Sequence, residues 1–501
     1  MFHAHIPADF LRDESRKCGT AESISFPADT AALARALREA DARGLAVTVQ
    51  GARTGISAGA VPDGGVIVSL SNMHRILGRR TDEAGRALLR VQSGLPLIAL
   101  RRHLAAEDKG IRGADSFFFP PDPTETSASL GGMAACNASG ACSFAYGPTR
   151  SHIEALTVVL ADGDTLSLRR GQARADGRRF ALATDSGRTI AGELPGYALP
   201  AVKNAAGYWV RPDMDLLDLF IGSEGTLGVI AELELRLTRK PRGTLGVLCF
   251  FPDETRVLAF VESARRHAPE VRPNVLAALE YFDAGALRLI LESAPHTGLL
   301  LPPPRPHWRC ALYVEWALAD AEDASGPLMC RLLEACGGHA DDTWLASDAP
   351  TLEKMKAFRH AAPERVNAII AERKRQHPDL TKLGTDLSVP DSRLSDVMAL
   401  YRRDLRQADL EHVIFGHIGN NHVHVNILPR DMCEYALGKA LYRSWAEQVV
   451  AWGGSVSAEH GIGRLKRDLL AVMYGEEGIA AMRRVKAAFD PAGRLNPGRL
   501  F

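Results

Sequence analysis

"VTVQGARTGISAGAVPDGGVIVSL", residues 47–70, sets three glycines four apart, Gly51, Gly55 and Gly59, between two runs rich in valine. Both flanks, 45–50 and 65–70, have the composition of strands. A dinucleotide fold would place a helix after such a loop, with its N-terminus aimed at a pyrophosphate. A second strand follows here instead, so the loop must meet an anion with its own backbone amides, which glycine allows to approach closely. A hairpin loop that simply needs positive φ fits the same residues. Just upstream, "TAALARALREADARG" (30–44) has the periodicity of a helix leading into the first strand.

Two further stretches share the small-residue character. "PPDPTETSASLGGMAACNASGACSFAYG" (120–147) is packed with Gly, Ala and Ser, which leaves room for something large and flat. "DLFIGSEGTLGVI" (218–230) sets a Gly-rich turn between a helix and a strand that continues to residue 237. The basic segment 169–187 is expected to be a solvated loop. "KPRG" (240–243) marks a domain boundary. Beyond it, "CALYVEWAL" (310–318) is patterned as a strand and 351–377 as a long helix, with a Pro-rich surface loop at 299–308.

"GHIGNNHVHVNILP" (416–429) brings three histidines within eight positions, none three or four apart, which does not suit a helix. A strand from His422 places His422, His424 and Asn426 on one face, and a turn at 419–421 lets His417 reach back to it. "SVSAEHGIG" (455–463) adds Glu459 and His460. Two imidazoles and a carboxylate with positions left open suit a catalytic divalent ion.

At 501 residues the chain exceeds one ordinary core. Sixty basic residues balance sixty acidic ones, which gives little reason to expect a nucleic acid partner. No apolar run approaches the length of a membrane span, and no export signal opens the chain. The eight cysteines include no C-x-x-C pair, which argues against iron–sulfur and Cys-type zinc sites. A cytoplasmic protein with reduced, buried thiols is the expectation, with peripheral membrane association left open.

As a set, "GARTGISAGAVP", "DPTETSASLGGMAACNASG", "KNAAGYWV" and "DLFIGSEGTLGVI" resemble the flavin-binding half of the vanillyl-alcohol oxidase / p-cresol methylhydroxylase (PCMH) superfamily. "GHIGNNHVHVN", "AEHGIGRLK" and "FDPAGRLNPGR" resemble its branch of FAD-linked 2-hydroxyacid dehydrogenases, which act on D-lactate, D-2-hydroxyglutarate or glycolate. The resemblance implies an α+β fold. An N-terminal segment (1–22) and a two-subdomain PCMH-type FAD-binding domain (23–240) precede an FAD-linked oxidase C-terminal cap domain (241–501).

It also implies roles. Gly51, Ala52, Arg53, Thr54, Gly55, Ile56 and Ser57 would carry the pyrophosphate, although many relatives have two glycines where Ala52 and Arg53 stand. Pro123, Thr124, Gly131, Gly132, Asn137, Ala138, Ser139 and Gly140 would line the ribityl and isoalloxazine portions, with Tyr146 and Gly147 also touching the cofactor. Glu224, Gly225, Thr226, Gly228 and Ile230 would approach the adenine half or the dimethylbenzene side. Relatives with covalent FAD carry a His in the first loop, and this chain has none, so a noncovalent flavin is expected.

The positions matching the ion's ligands are His417, His424 and Glu459, with zinc the expected metal. His422 stands where relatives carry Asn and could be a fourth ligand, a substrate contact or a stacked neighbour. Arg359 matches a carboxylate-binding arginine on a helix; the alternative is an exposed helical Arg among Lys354, Lys356 and Arg365. Lys382 stands at a different offset from Asp386 than the lysine of the 2-hydroxyglutarate branch. His460, beside a ligand, is the candidate base, because a neutral imidazole suffices once a metal has acidified the substrate hydroxyl. Asn426 could bond the substrate.

The expected activity is oxidation of a D-2-hydroxyacid, D-lactate first, with glycolate or D-2-hydroxyglutarate as runners-up. A non-catalytic flavin subunit of a larger complex and a lactone or amine oxidase are the readings from other classes. The electron acceptor is a quinone, a cytochrome or an electron-transfer flavoprotein by exclusion.

Overall fold

In the computed structural model, residues 2–107, 116–297, 301–319 and 324–501 are described. Valines 47, 66 and 68 build a small parallel sheet in which Val66–Ser69 lies between Ser23–Ser25 and Val47–Gln50. The Asp29 carboxylate caps the helix Thr30–Ala42 by accepting from Ala32 N at 2.8 Å. That helix buries Leu33, Ala34, Leu37 and Ala40 beside the sheet.

A second, antiparallel sheet has five strands in the order Ile76–Thr81, Ala87–Gln92, Val229–Arg236, Ile153–Val159 and Thr165–Arg169. Its central strand is the one that follows the Gly-rich turn at 222–228. The basic segment 169–187 is more ordered than its charge suggests. Arg179–Ala183 pairs with Thr189–Glu193, burying Phe180, Leu182 and Ile190 in alternation. The arginines occupy the solvent side, and the apolar period-two pattern decides the structure.

From Gly243 onward a seven-stranded antiparallel sheet forms, ordered Thr343–Ala346, Gly243–Phe251, Cys310–Leu318, Val275–Phe282, His412–Gly416, His424–Ile427 and Leu383–Gly384. Helices Ala349–Arg373 and Ala284–Thr297 pack together beside it. The Pro-rich stretch is coil at 301–307 and ends at buried Trp308, which stacks on Phe250; 299 and 300 lie outside the described residues.

The chain then returns to its first half. Helix Arg467–Phe489 packs on the Thr189–Glu193 strand, and Leu495 bridges in parallel to Val47. The fold is α+β. All eight cysteines are free thiols; Cys249 and Cys310 are buried, whereas Cys18, Cys330 and Cys433 are exposed rather than interior. Among the described residues no helix is long and apolar enough to cross a membrane.

Candidate active site

The three Gly-rich loops lie side by side. Ala52 N donates to Ser129 Oγ at 3.3 Å, Gly222 N to Ala134 O at 2.9 Å, and Glu224 N to Ala135 O at 2.8 Å. Several glycines are there for this loop-to-loop closeness rather than to leave open space. A Cβ at Gly51 would sit 2.2 Å from Ser129 Oγ, at Gly140 1.7 Å from Asp122 O, and at Gly225 2.7 Å from Asn496 Nδ2. Gly131 is pressed against Ser93 and Gly228 against Val158 in the same way.

The tip of the first loop differs. Nothing stands within 4 Å of a Cβ at Gly55, and Ile56 is exposed. The amides of residues 53–58 have no acceptor among the described residues. A run of unpaired amides in a strand-to-strand loop fits a phosphate group. Arg53, at φ 61°, does not reach towards this tip; its guanidinium lies 4.0 Å over the Phe10 ring.

In the second loop, Asn137 Oδ1 accepts from Arg150 N, and Tyr146 meets Phe118 edge to face. Ala138 lies against the core, Gly147 turns at φ 78°, and Thr124 is exposed beside half-buried Pro123. Gly132 donates to Ser129 Oγ at the start of a short helix. In the third loop the Thr226 hydroxyl pairs with Tyr208 at 2.7 Å, and Ile230 is buried. Glu224 does not present its carboxylate to open space. It accepts from Ile462 N at 2.7 Å and Gly463 N at 2.8 Å, which fastens the loop carrying Glu459 and His460 onto the glycine loops.

The histidines converge as the strand-and-turn pattern requires, with one change: the strand begins at His424, and His422 lies in the turn. Glu459 Oε1 lies 3.3 Å from His417 Nε2, 3.4 Å from His424 Nε2 and 3.4 Å from His460 Nε2. Donor atoms of His417, His422, His424 and Glu459 all fall within 4.8 Å of one another, as do those of Asp386, Glu459 and His460.

Three observations test this cluster as a metal site. A tetrahedral site with ligands at about 2.0–2.1 Å has edges of about 3.3–3.4 Å, and the separations from Glu459 Oε1 to His417 and His424 match. His417 Nδ1 is held by Glu280 Oε1 at 2.7 Å and His424 Nδ1 by Thr385 O at 2.8 Å, which leaves both Nε2 lone pairs facing the centre. His422, fully buried, has Nε2 2.9 Å from Asp386 Oδ1, while its Nδ1 has no hydrogen-bond partner among the described residues. Such an orphaned atom is costly unless something meets it. The residues fit a divalent cation.

The electrostatics agree. Burial alone would lower the His417 imidazole, but Glu280 and Glu459 outweigh it and raise it to about 9, so the centre favours positive charge. Burial holds His422 well below its ordinary value, and it pulls His460 down to about 4. Burial would raise Glu459, but Lys203 and His417 keep it well below the usual carboxylate range. Lys203 Nζ is 2.7 Å from Glu459 Oε2, and Ser139 Oγ, from the second glycine loop, is 3.3 Å from the same oxygen.

Arg359 sits in helix Ala349–Arg373, where Pro363 lacks the amide that would bond the Arg359 carbonyl. It has no ion pair or hydrogen bond among the described residues, and its Nε is buried without a partner. Its guanidinium lies near the Tyr313 ring, and although burial opposes its charge, Glu280 and Asp122 raise its pKa further. Asn426 is buried, with Nδ2 donating to His424 O at 3.2 Å. Lys382 is exposed, and its Cε lies beside Gly384, as does Asn426 Oδ1.

Lys203, Glu280, Thr385 and Asp386 have no role in the sequence reading. Glu280 alone left a usable signal, a lone carboxylate inside the apolar strand "VLAALEYF".

Residues 240–500 match the model of the FAD linked oxidases' C-terminal domain, and residues 21–169 that of an FAD binding domain. A D-lactate dehydrogenase of Anaerostipes hadrus is 29% identical, covering 99% of this chain and 93% of that one. A D-2-hydroxyglutarate dehydrogenase of Stutzerimonas stutzeri is 30% identical over 96% and 90%. A glycolate oxidase subunit of Bacillus subtilis is 27% identical over 96% and 89%. Among solved structures, an alkyldihydroxyacetonephosphate synthase superposes with a TM-score of 0.62 at 16% identity, over 97% of this chain and 78% of that one, a likeness of fold. With its C-terminal half and its first two glycine loops both matched, the chain belongs to the FAD-linked oxidases.

Proposed function

We propose that this chain oxidises a D-2-hydroxyacid to the 2-oxoacid, using a noncovalent FAD and a divalent cation, with D-lactate the first substrate to test. The observation that carries it is the meeting of His417 and His424 on one oxygen of Glu459, in a loop bonded to the glycine loops by Glu224 and Ser139. The names of the relatives agree with the reaction class. When bound, the flavin takes up the electron pair leaving Cα, and the cation, zinc by its ligands, supplies the charge that acidifies an alcohol.

His417, His424 and Glu459 would hold the cation, with His422 available at its edge. Arg359 would grip the substrate carboxylate, for which a guanidinium fork is suited, and it has no hydrogen bond or ion pair among the described residues that would compete. Asn426 would orient the substrate by a hydrogen bond. His460, kept neutral by burial, would accept the hydroxyl proton at Nε2. Residues 51–57, with the loops at 123–140, 146–147 and 224–230, would cradle the FAD. The reduced flavin would pass electrons to a quinone, cytochrome or electron-transfer flavoprotein in the cytoplasm or at a membrane surface.

Lys382 supports a second reading. An exposed cation near Asn426 suits the distal carboxylate of D-2-hydroxyglutarate, whereas D-lactate and glycolate offer it nothing.

The test is anaerobic flavin bleaching by paired D- and L-2-hydroxyacids, repeated after chelation. D-Lactate or D-2-hydroxyglutarate is expected to bleach the flavin, and chelation to abolish this. Bleaching by L-isomers alone, or bleaching indifferent to chelation, would overturn the proposal.

A further inference from the structure

Asp386 follows the edge strand Leu383–Gly384 and is completely shielded from solvent. An isolated buried carboxylate is costly, so its partners explain its presence. Oδ2 accepts from Ser457 Oγ at 2.8 Å, from His460 N at 3.1 Å and from Lys466 Nζ at 2.6 Å; Oδ1 accepts from Glu459 N at 3.3 Å. Four donors on one carboxylate, three of them in residues 457–460, define where that loop sits. His422 Nε2 lies 2.9 Å from Oδ1, and the imidazole of His460 lies over the other oxygen, with Nδ1 3.5 Å from Asp386 Oδ2, a charge contact longer than a hydrogen bond. The other ring nitrogen, Nε2, faces Glu459 Oε1, the oxygen on which His417 and His424 also converge. Asp386 therefore lies behind the histidine and the candidate cation lies in front of it.

We infer that Asp386, charge-balanced by Lys466, is a positioning residue: it fixes the loop bearing Glu459 and His460 and holds the His460 ring with Nδ1–H towards itself, so that Nε2 carries the lone pair on the side of Glu459 and the candidate cation. A carboxylate behind an imidazole selects one tautomer and one ring orientation and stabilises the imidazolium that forms. The inference rests on the assignment of His460 as proton acceptor. It does not require Asp386 to touch substrate, flavin or metal.

Two readouts on the holoenzyme test it. The first is the long-range 1H–15N spectrum of 15N-histidine-labelled protein, with the His460 signals identified by their loss in His460→Gln. The wild type is expected to show the Nδ1–H tautomer, and Asp386→Asn the Nε2–H form or an average of the two. The second is single-turnover flavin reduction by the hydroxyacid that bleaches the wild type. Asp386→Asn is expected to fall about 100-fold in rate, with half-saturation, flavin content and metal content unchanged; Asp386→Glu should recover part of the rate.

An Nε2–H tautomer in the wild type would overturn the inference, as would an unchanged rate in a folded Asp386→Asn. If that variant does not fold, the wild-type spectrum alone decides. If no hydroxyacid bleaches the wild type, the functional proposal fails, and the spectrum still tests the placement of His460.

Discussion

Asn496 offers a perturbation whose size can be worked out from the structure. It lies in the C-terminal tail at φ 44°, is almost fully buried, and joins the first and third glycine loops. Its Oδ1 accepts from Val49 N at 2.8 Å, two residues before the first loop, and its Nδ2 donates to Glu224 O at 2.8 Å, in the third. Asn496→Ala removes both bonds. The partly shielded Val49 amide left without an acceptor costs about 1 kcal/mol and the buried Glu224 carbonyl about 2 kcal/mol. Holding alanine in the left-handed region that Asn tolerates adds about 1 kcal/mol. The sum is about 4 kcal/mol, and about 3 kcal/mol for Asn496→Gly, which escapes the last term. Urea unfolding followed by tryptophan fluorescence gives both values, and FAD release on dilution should quicken in both variants. An Asn496→Ala protein within 1 kcal/mol of the wild type, or a glycine variant weaker than the alanine one, would refute the reasoning.

Three other perturbations address separate parts of the molecule. Burial pushes His152 down to about 4 from its ordinary 6.5, and its Nε2 is bonded to Tyr146 O at 2.9 Å. The unfolded chain therefore binds the extra proton between those values; stability is complete above pH 6.5 and falls by about 3 kcal/mol as pH drops towards 4. Unfolding midpoints across that range should be flatter in His152→Gln. Glu280→Gln weakens the group that orients the His417 ring and should lower zinc affinity about 10- to 100-fold, as measured by competition with a chromogenic chelator; unaltered affinity would dismiss Glu280 as a support for the site. Arg359→Met should raise KM for the hydroxyacid about 10- to 100-fold through loss of a charged hydrogen-bond pair, with Arg359→Lys between it and the wild type. Equal KM in all three would remove Arg359 from the site.

The linear pattern shows which residues offer chemistry better than it shows what holds them. The strands around Gly51 and the long helix at Arg359 are set by local periodicity and emerge where the spacing puts them. The histidines of 417–424 meet because a turn and a strand leave them little alternative. Their supports come from far along the chain: Lys203 is 256 residues from Glu459, Glu280 is 137 from His417, and Asp386 is 73 from Glu459. No local pattern reports such a pairing: Lys203 and Asp386 read equally well as solvated residues, and Glu280, conspicuous in its apolar strand, does not name its partner. The segment 169–187 misleads for the opposite reason: the alternation of Phe180 and Leu182 is visible, but the arginines around it dominate the composition.

The glycines carry the larger lesson. Read alone, they suggest space kept clear for a flat ligand, yet at Gly51, Gly140 and Gly225 the space is taken by the chain itself. Close approach of loop to loop allows Ser139 to reach the carboxylate of Glu459 and Glu224 to reach the amides of 462 and 463. A larger residue at Gly225 would push against Asn496, and through it against Glu224 and the loop that Glu224 holds. Small residues in the first half of the chain thus bear on the placement of Glu459 and His460 in the second. A Gly225→Ala variant tests this coupling. Its effect should appear in zinc affinity as well as in FAD retention, and loss of FAD with zinc affinity unchanged would show the two halves of the site to be independent.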